Sequence, residues 1–411
     1  MNITYYSHYF SPEIGAPSAR IYDLSQQWLH ANHHVSVVTC FPNHPTGQLY
    51  PGYTLSRYMY ENIDDIHVHR NWSYITANKG FIKKTLGHIS FWLSAALSSK
   101  KQVANTDVVI GTSPTFFAAM GAIGLAQKEK IPFIMEVRDL WPAIFVELGV
   151  LKNRQIIAML ERWEMWMYKR ATKIVTVTNA FRENLIARGI PAEKIYTIPN
   201  GADINYWQPS PASPTLRQKL NLTDRFVVLY IGAHGISQAL SHILDSAALL
   251  QTTPNIQFLF VGAGAEKEML IQRTQQLGLS NVTFHDSVTK EEVKDFYALA
   301  DVCLIPLRDI PLFDTFIPSK MFEIMSMARP IIGSVRGEPA NILQASGGAL
   351  VVPPEDSQAI ADAILALYQQ PNLCEDLGQN GRKYVSNHYS RQQLALKYID
   401  VLESAVTQMK K

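Results

Sequence analysis

Short runs of β-branched and aromatic residues alternate with helical patterns along this chain, and the alternation repeats in both halves. In the first half it predicts helices at 19–31, 116–128 and 180–188 between strands at 3–6, 35–39, 66–70, 107–111, 133–137 and 173–177. Strands that alternate with helices form a doubly wound parallel sheet. Such sheets bind ligands beyond the carboxyl ends of their strands, so functional residues are expected in the loops there.

The same pattern restarts after a Pro- and Ser-rich stretch at 208–214, which indicates a linker. It predicts further strands at 226–231, 256–261, 282–285, 302–306, 330–333 and 349–352. We therefore predict an α/β protein with domains at 1–205 and 206–388 and a cleft between them. The last segment, 389–411, is predicted as a helix that is either a plain terminal cap or crosses back onto the first domain.

The composition is that of an ordinary globular protein, with 47% hydrophobic and 18% charged residues in a chain of 411. Cys40, Cys303 and Cys374 lie far apart, which argues against a disulfide framework or a zinc site. The opening residues lack the basic and apolar segments of a signal peptide, and the longest apolar runs fall short of the roughly 20 residues that cross a bilayer. We expect a cytoplasmic protein.

The net charge of +2 is unevenly distributed. Residues 1–200 contain 20 Lys and Arg against 14 Asp and Glu, whereas the remaining residues contain 17 against 21. A basic first half indicates an anionic partner on that side, either a phosphate-bearing substrate or an acidic lipid surface. Chance asymmetry is the alternative, and we expect no nucleic-acid partner.

A Pro-Ser-Lys turn at 318–320 leads into a short helix that carries Glu323 and then into an apolar strand. Such a turn can present backbone N–H groups, the Ser319 hydroxyl and the Lys320 ammonium to a phosphate. One helical turn further on, the Glu323 carboxylate can accept hydrogen bonds from a sugar hydroxyl. The segment predicts a site for a nucleoside diphosphate.

Glycine-containing turns follow other strands of the second domain. In GAHGISQAL, Gly232 and Gly235 would let backbone amides approach an anion while His234 donates a hydrogen bond, although a simple glycine turn is the alternative. In GAGAEKEML, Lys267 stands where the dinucleotide fingerprint requires its third glycine, which argues against a nicotinamide or flavin site. His285 ends the next strand, where backbone groups could bind a base edge.

Polar residues at strand ends of the first domain indicate a second group of functional residues. Gly15 lies in the loop after the first strand, where a glycine lets the backbone pass close to a bound group. Glu136, Arg138 and Asp139 cluster where the strand at 133–137 ends, and charges at such positions are more often functional than structural. A salt bridge between Arg138 and Asp139 that fixes the turn is the alternative.

The segment 79–101 has apolar residues at helical spacing and lysines near both ends. These lysines are Lys79, Lys83, Lys84, Lys100 and Lys101. A basic amphipathic helix can lie on an anionic membrane, but an apolar stripe is also typical of a core helix. A second aromatic cluster, at 161–170, is predicted to pack in the core.

In this order the motifs resemble the retaining glycosyltransferases of family 4, which have the GT-B architecture of two facing Rossmann-like domains. The resemblance covers nearly the whole chain and is strongest to members that assemble bacterial surface polysaccharides. It rests on the loop at Gly15, IPNGAD at 198–203, VGAG at 261–264, ALADVCLIP at 298–306 and SKMFEIMSMARPII at 319–332.

The resemblance implies roles for individual residues. Glu323 would bind the ribose of a nucleotide-sugar donor, and Ser319 and Lys320 would face its diphosphate. The other predicted donor-binding residues are Gly15, Gly232, His234, Gly235 and His285. The predicted catalytic residues are Asp139, Arg138 and Lys320, and the predicted acceptor-binding residues are Glu13, His44 and Arg138.

Two positions depart from the family pattern. Thr315 stands eight residues before Glu323, where members often have a glutamate, and GAHGISQA lacks the Arg and Lys that many members carry in that loop. Lys320 is therefore expected to be the main cation at the diphosphate, with His234 or Arg308 sharing the charge.

The resemblance further implies transfer with retention, without metal or other cofactor, in which fixed cations and amides stabilise the leaving diphosphate. The expected reaction moves an N-acetylated sugar from a UDP donor to a polyprenyl-diphosphate-linked acceptor, at the inner face of the cytoplasmic membrane. Asp139 would orient the acceptor or stabilise positive charge on the sugar ring. The alternatives are a nucleotide-sugar 2-epimerase on the same fold and a binding module without activity.

Overall fold

The structure is a computed structural model that describes residues 1–13, 15–44, 46–76, 81–103, 105–113, 116–147 and 151–410. At 16, 81, 82, 84, 98–102, 144 and 147 the description covers the backbone only. Contacts between residues divide the chain into two compact units. The first unit comprises Met1–Pro199 with Arg391–Lys411, and the second comprises Asn200–Ser390.

The first unit is built on an eight-stranded sheet. Its strands are β1 (Asn2–Tyr6), β2 (His34–Cys40), β3 (Tyr58–Ile63), β4 (Ile66–Asn71), β5 (Val108–Thr112), β6 (Phe133–Val137), β7 (Lys173–Thr176) and β8 (Ile195–Thr197). Its helices are α1 (Ala16–His30), α2 (Phe81–Gln102), α3 (Phe116–Glu129), α4 (Ala143–Glu147), α5 (Arg154–Arg170), α6 (Asn179–Ala187) and the C-terminal helix Arg391–Lys410. The strand order is β3-β4-β2-β1-β5-β6-β7-β8, and the strands are parallel except for the antiparallel pair β3 and β4.

The second unit is built on a six-stranded parallel sheet. Its strands are β9 (Phe226–Ile231), β10 (Ile256–Val261), β11 (Val282–His285), β12 (Val302–Pro306), β13 (Ile331–Ser334) and β14 (Ala349–Val352), in the order β11-β10-β9-β12-β13-β14. Its helices are α7 (Pro214–Lys219), α8 (Leu240–Leu249), α9 (Lys267–Gln276), α10 (Lys290–Leu299), α11 (Lys320–Ser326), α12 (Gly337–Ser346), α13 (Ser357–Gln369) and α14 (Pro371–His388). Every strand predicted from the sequence is present, and the α/β fold class is confirmed.

The sequence prediction missed two strands, β3 and β8. β3 pairs with β4 through a two-residue turn, since Ile63 faces Ile66 across the ladder. The turn residues Asp64 and Asp65 have φ of 47° and 66°, as a tight type I′ hairpin requires. Asn-Gly is the usual signal for such a turn, so the Asp-Asp pair did not reveal the hairpin.

The C-terminal helix packs within the first unit. The indole Nε1 of Trp28, on α1, donates a hydrogen bond to the Ala395 carbonyl over 3.2 Å, and its ring lies 5.3 Å from the ring of Tyr398. Leu402 is fully buried in the same hydrophobic core. An ion pair between Arg391 and Asp23 holds the start of the helix against α1.

Helices long and apolar enough to cross a membrane are absent from the part of the chain that the structure describes.

The C-terminal helix offers a matched test of this packing. Leu402→Ala should lower the free energy of unfolding by about 2–5 kcal/mol, because it leaves a cavity in the core of the first unit. Leu396→Ala, at a position that is 49% exposed on the same helix, should change it by no more than about 0.5 kcal/mol. Urea titrations of both variants measure the difference, and equal losses would contradict the packing.

Candidate functional site

Two loops pack tightly at the carboxyl edge of the second sheet. The His234 amide donates to the Ala263 carbonyl over 2.9 Å, which joins the loop after β9 to the loop after β10. A Cβ atom at Gly264 would lie 2.2 Å from the His234 carbonyl oxygen, and one at Gly262 would lie 2.0 Å from that of Gly232. Only glycine fits at such distances, so contact between the loops explains the glycines of VGAG.

The Lys320 ammonium lies against the loop after β9, beside Gly232. Its Nζ donates to the Ile231 carbonyl over 3.0 Å and lies 4.0 Å from the centre of the Tyr230 ring. A side chain at Gly232 would approach Nζ to 3.0 Å, so the glycine leaves room for the ammonium. Burial lowers the pKa of Lys320 to about 7, although the charges of Cys303 and Glu323 oppose this shift. An anion at this position would favour the charged form.

Ser319 and Glu323, which flank Lys320 in the sequence, each accept a hydrogen bond from a residue that is distant along the chain. Asn200, from the IPNGAD segment, donates through Nδ2 to the Ser319 hydroxyl over 2.8 Å. The buried Tyr297 hydroxyl donates to Oε2 of Glu323 over 3.3 Å. The structure therefore brings Ser319, Lys320 and Glu323 together on one turn, as the sequence predicts.

His234 is fully buried, and neither ring nitrogen has a hydrogen-bond partner among the described residues. Its ring packs among the aromatic rings of Tyr230, Phe260 and Phe284, with centroid distances of 5.8, 6.2 and 6.1 Å. Burial lowers its pKa to about 4, and the nearby charges of Lys267 and Lys320 act in the same direction. His234 is thus neutral near pH 7 in this environment, and its sharing of positive charge at a diphosphate stays a prediction that requires the bound anion to raise this pKa.

Arg308, the other residue expected to share that charge, is exposed and has a carboxylate partner. Its Nε lies 3.8 Å from Oε1 of Glu355, and its amide donates to the Ser237 carbonyl over 2.9 Å. The Thr315 hydroxyl donates within its own turn, to the Leu312 carbonyl over 2.7 Å. The Glu355 carboxylate therefore already compensates part of the charge of the Arg308 guanidinium.

Two further predicted donor-binding residues make mainly local contacts. Gly235 begins a short 3-10 turn with an ordinary φ of −123°, and an added Cβ would meet only the flexible end of Gln238, at 3.2 Å. The carbonyl of His285 accepts from the Gly262 amide over 3.2 Å and from Nζ of Lys267 over 3.0 Å. That carbonyl is therefore committed to the fold.

In the first unit, a buried ion pair occupies the end of β6. Glu136 accepts hydrogen bonds from Arg20 over 3.2 and 3.3 Å and from the Tyr5 hydroxyl over 2.5 Å. Arg20 also donates to the carbonyls of Ile198 and Pro199. Burial alone would raise the pKa of Glu136, but the charges of Arg20 and Arg138 and these hydrogen bonds hold it below the ordinary value. Glu136 is thus a structural anchor.

The turn after Glu136 presents Arg138 and Asp139. Ser113, at the end of β5, accepts from the Arg138 amide and donates to the Asp139 carbonyl, both over 3.2 Å. Nε and Nη1 of Arg138 are buried without hydrogen-bond partners among the described residues. Burial raises the pKa of Asp139 to about 6, against the opposing charge of Arg138. Among the described residues Arg138 and Asp139 form no salt bridge, and the ion pair at this strand end joins Glu136 to Arg20.

The structure gives the predicted acceptor-binding residues different settings. Glu13 is buried, and its carboxylate accepts from the amides of Asn43, His44 and Phe10 over 2.7, 2.9 and 3.3 Å. Glu13 therefore shapes the loop after β2, where the His44 ring lies 5.0 Å from that of Tyr9. Gly15, which the sequence predicts to bind the donor, is exposed, and a Cβ there would make only an ordinary contact at 3.6 Å. The fold itself does not require that glycine.

Two protein families match this chain, and their match regions correspond broadly to the two compact units. Residues 15–201 match the family described as glycosyl transferase 4-like domain, and residues 212–384 match the family described as glycosyl transferases group 1. Residues 15–201 lie almost entirely in the first compact unit, and residues 212–384 lie in the second.

Three similar proteins extend this comparison. The putative colanic acid biosynthesis glycosyl transferase WcaI of Escherichia coli K12 is 26% identical over 89% of this chain and 91% of its own. Sucrose-phosphate synthase from Thermosynechococcus elongatus has a similar structure, with a TM-score of 0.79, 19% identity and 99% coverage of both chains. Anabaena HepE in complex with UDP and glucose has a TM-score of 0.73 at 15% identity, over 98% of this chain and 100% of HepE. These likenesses confirm the GT-B fold.

The buried ion pair provides a test of which charges at the end of β6 are structural. Glu136→Ala should lower the free energy of unfolding by about 3–5 kcal/mol, because it leaves the Arg20 guanidinium buried without its carboxylate. Asp139→Asn is the matched control and should cost less than about 1 kcal/mol, since burial already disfavours the charge there. Urea unfolding near pH 7 distinguishes the two, and a larger loss for Asp139→Asn would reverse the assignment.

Proposed function

We propose a substrate class and a mechanism for this protein, which belongs to the group 1 glycosyltransferases that carry a 4-like domain. The proposed reaction transfers an N-acetylated sugar from a UDP-sugar to a polyprenyl-diphosphate-linked acceptor in the synthesis of a bacterial surface polysaccharide. The observation that carries the proposal is the half-buried Lys320 side chain between Ser319 and Glu323, whose ammonium lies against a turn that only glycine can form. The name of the colanic acid relative supports the polysaccharide, and UDP in a similar fold supports the donor.

The second unit would hold the donor. Lys320 uses one hydrogen bond for the Ile231 carbonyl, so its remaining N–H groups can turn toward a diphosphate. The Glu323 carboxylate, steadied by Tyr297, would accept hydrogen bonds from the ribose hydroxyls. His234 is neutral and buried, so it would contribute at most one hydrogen bond to a phosphate oxygen.

Charge at the leaving diphosphate is the main requirement of the proposed mechanism. As the bond between the sugar and the diphosphate breaks, negative charge grows on the leaving phosphate oxygen, and a fixed cation there stabilises the transition state. The acceptor hydroxyl oxygen bonds to the same face of the sugar, and its proton passes to that phosphate oxygen. Lys320 would supply the cation without a metal ion. Among the described residues no three His, Cys, Asp or Glu side chains form a group that could hold one.

The first unit would bind the acceptor. The buried nitrogens of Arg138 have no partner among the described residues, which makes this guanidinium available to an anionic group such as a lipid diphosphate. Asp139 lies beside it with a pKa of about 6 and is mostly ionised near pH 7. It would orient the acceptor hydroxyl or stabilise positive charge on the sugar ring. Glu13 would act only by shaping the loop that carries His44.

Helix α2 supports the proposed contact with the inner face of the membrane. One side of it is buried through Phe91 and Ala95, whereas Leu86, Leu93 and Leu97 are exposed, the last by 82%. Lys83 is exposed as well. An exposed leucine stripe with a basic end suits the surface of an anionic bilayer. Lys79 and the side chains of Lys84, Lys100 and Lys101 lie outside the described residues.

The donor assignment predicts a specific loss in Glu323→Ala. The Kd for UDP-glucose should rise about 10- to 100-fold, because hydrogen bonds from the ribose to a charged group are lost. Calorimetry measures the Kd, and Glu268→Ala, which removes an exposed carboxylate of α9, is the matched control. Unchanged binding and transfer in Glu323→Ala would remove this residue from the donor site. Interconversion of the sugar by the protein with donor alone would favour the epimerase.

The lowered pKa of Lys320 predicts how donor affinity depends on pH. The anion binds the charged form, so the Kd for UDP-glucose should rise about tenfold per pH unit as pH increases above 7. UDP-glucose is suitable because its diphosphate does not titrate in this range. In Lys320→Arg the cation stays charged, so the Kd should be nearly constant between pH 7 and 8.5. Equal slopes for the two proteins would show that another group causes the dependence.

A further inference from the structure

Helix α5 carries an open groove of about 640 Å³ on the surface of the first unit. The residues that line it are Gln155, Ala158, Met159, Arg162, Trp163 and Trp166. Two tryptophans and a methionine make the groove mainly apolar.

The groove is not the surface that holds α5 in the fold. The buried side of the helix is formed by Leu160, Glu164, Met167 and Tyr168. Glu164 accepts from the Tyr168 hydroxyl over 2.7 Å and forms an ion pair with Arg188. In contrast, Met159 is 55% exposed, and both tryptophans are only half-buried. The apolar lining of the groove therefore needs an explanation other than core packing.

Aromatic rings connect the groove to the turn that carries Arg138 and Asp139. Trp163 packs edge-on against Phe117, with ring centroids 5.9 Å apart. The neighbouring Phe116 packs against Trp141 at 4.1 Å, and Trp141 follows Asp139 by two residues. These ring contacts pack α5 and α3 against the turn that leads into the proposed acceptor site.

The charges around the groove favour an anionic ligand. Arg162 lines it, and the Arg170 guanidinium lies 4.4 Å above the Trp166 ring. Arg154 and Lys169 are exposed on the same helix, as is Glu161, so basic residues remain in excess. A ligand with a hydrocarbon chain and a phosphate would satisfy both the apolar lining and the basic rim.

We propose that the α5 groove binds the hydrocarbon chain of the lipid-linked acceptor, close to its diphosphate. This inference rests on the proposed function, because it names the part of the acceptor that α5 recognises. The bound chain would lie along Met159, Trp163 and Trp166. The groove would make the enzyme sensitive to the length of the chain, whereas Arg138 would respond to the diphosphate whatever chain is attached.

The test compares acceptors that share one diphosphate-sugar headgroup but carry a short or a long polyprenyl chain, dispersed in the same nonionic detergent. The wild-type kcat/KM should favour the long chain, and Met159→Asp should reduce that preference about tenfold or more, since a carboxylate in the groove opposes burial of the hydrocarbon chain. Effects on the headgroup cancel in the ratio. Ile156→Asp is the matched control, because Ile156 is exposed on α5 but does not line the groove. It should keep the wild-type preference.

Binding of a polyprenyl phosphate without sugar, followed by tryptophan fluorescence, makes the test independent of catalysis. Binding that is lost in Met159→Asp and kept in Ile156→Asp would support the groove even if no acceptor is glycosylated. A failure to glycosylate any polyprenyl-linked acceptor would overturn the proposed acceptor instead. An unchanged chain-length preference in Met159→Asp would overturn the groove assignment while leaving the transferase intact. If Met159→Asp keeps the preference but no longer sediments with anionic liposomes, the groove contacts the bilayer and the inference is wrong.

Discussion

The buried ion pair between Arg20 and Glu136 is the interaction on which the organisation of the first unit depends. It joins helix α1 to the end of β6, and it reaches β1 through Tyr5 and the exit of β8 through the carbonyls of Ile198 and Pro199. A buried pair is costly to desolvate, and breaking it by removing one partner costs more still. Because Glu136 is fixed by this network, the turn that follows it is fixed as well, and Nε and Nη1 of Arg138 are left without hydrogen-bond partners among the described residues.

The second unit uses a different arrangement, in which close packing of loops creates the setting for one ammonium. The glycines after β9 and β10 are required by loop contact, and the space they leave brings Lys320 against the Tyr230 ring and the Ile231 carbonyl. Desolvation leaves this ammonium poorly stabilised, with a pKa near 7, so a bound anion would gain from it more than from an exposed lysine. Lys320, rather than His234 or Arg308, is therefore the centre of the proposed donor site.

Much of the fold could be predicted because parallel strands are buried on both faces and appear as continuous β-branched runs. The edge strand β3 alternates half-buried and exposed residues and is followed by a turn of two aspartates, so little in the residue pattern indicates a strand there. The donor turn could be predicted because Ser319, Lys320 and Glu323 are neighbours in the sequence. Their supports could not, since Asn200 is 119 residues from Ser319. The partner of Glu136 was missed for the same reason, since Arg20 is 116 residues away.

Helix α5 shows a further limit of sequence patterns. Its apolar residues predicted core packing, which holds for Met167 and Tyr168, whereas Met159, Trp163 and Trp166 line an open groove. Helical periodicity identifies apolar faces but does not say which of two such faces is covered. The same ambiguity applied to α2, where the exposed leucines became apparent only from the structure.

The central claim is that the second unit binds a nucleotide-sugar through its diphosphate. A calorimetric titration of the full-length protein with UDP-, GDP- and ADP-linked sugars near pH 7 tests it most directly. The account predicts saturable binding of UDP-linked sugars that is lost in Lys320→Met. Failure of every nucleotide-sugar to bind, or unchanged binding in Lys320→Met, would contradict it.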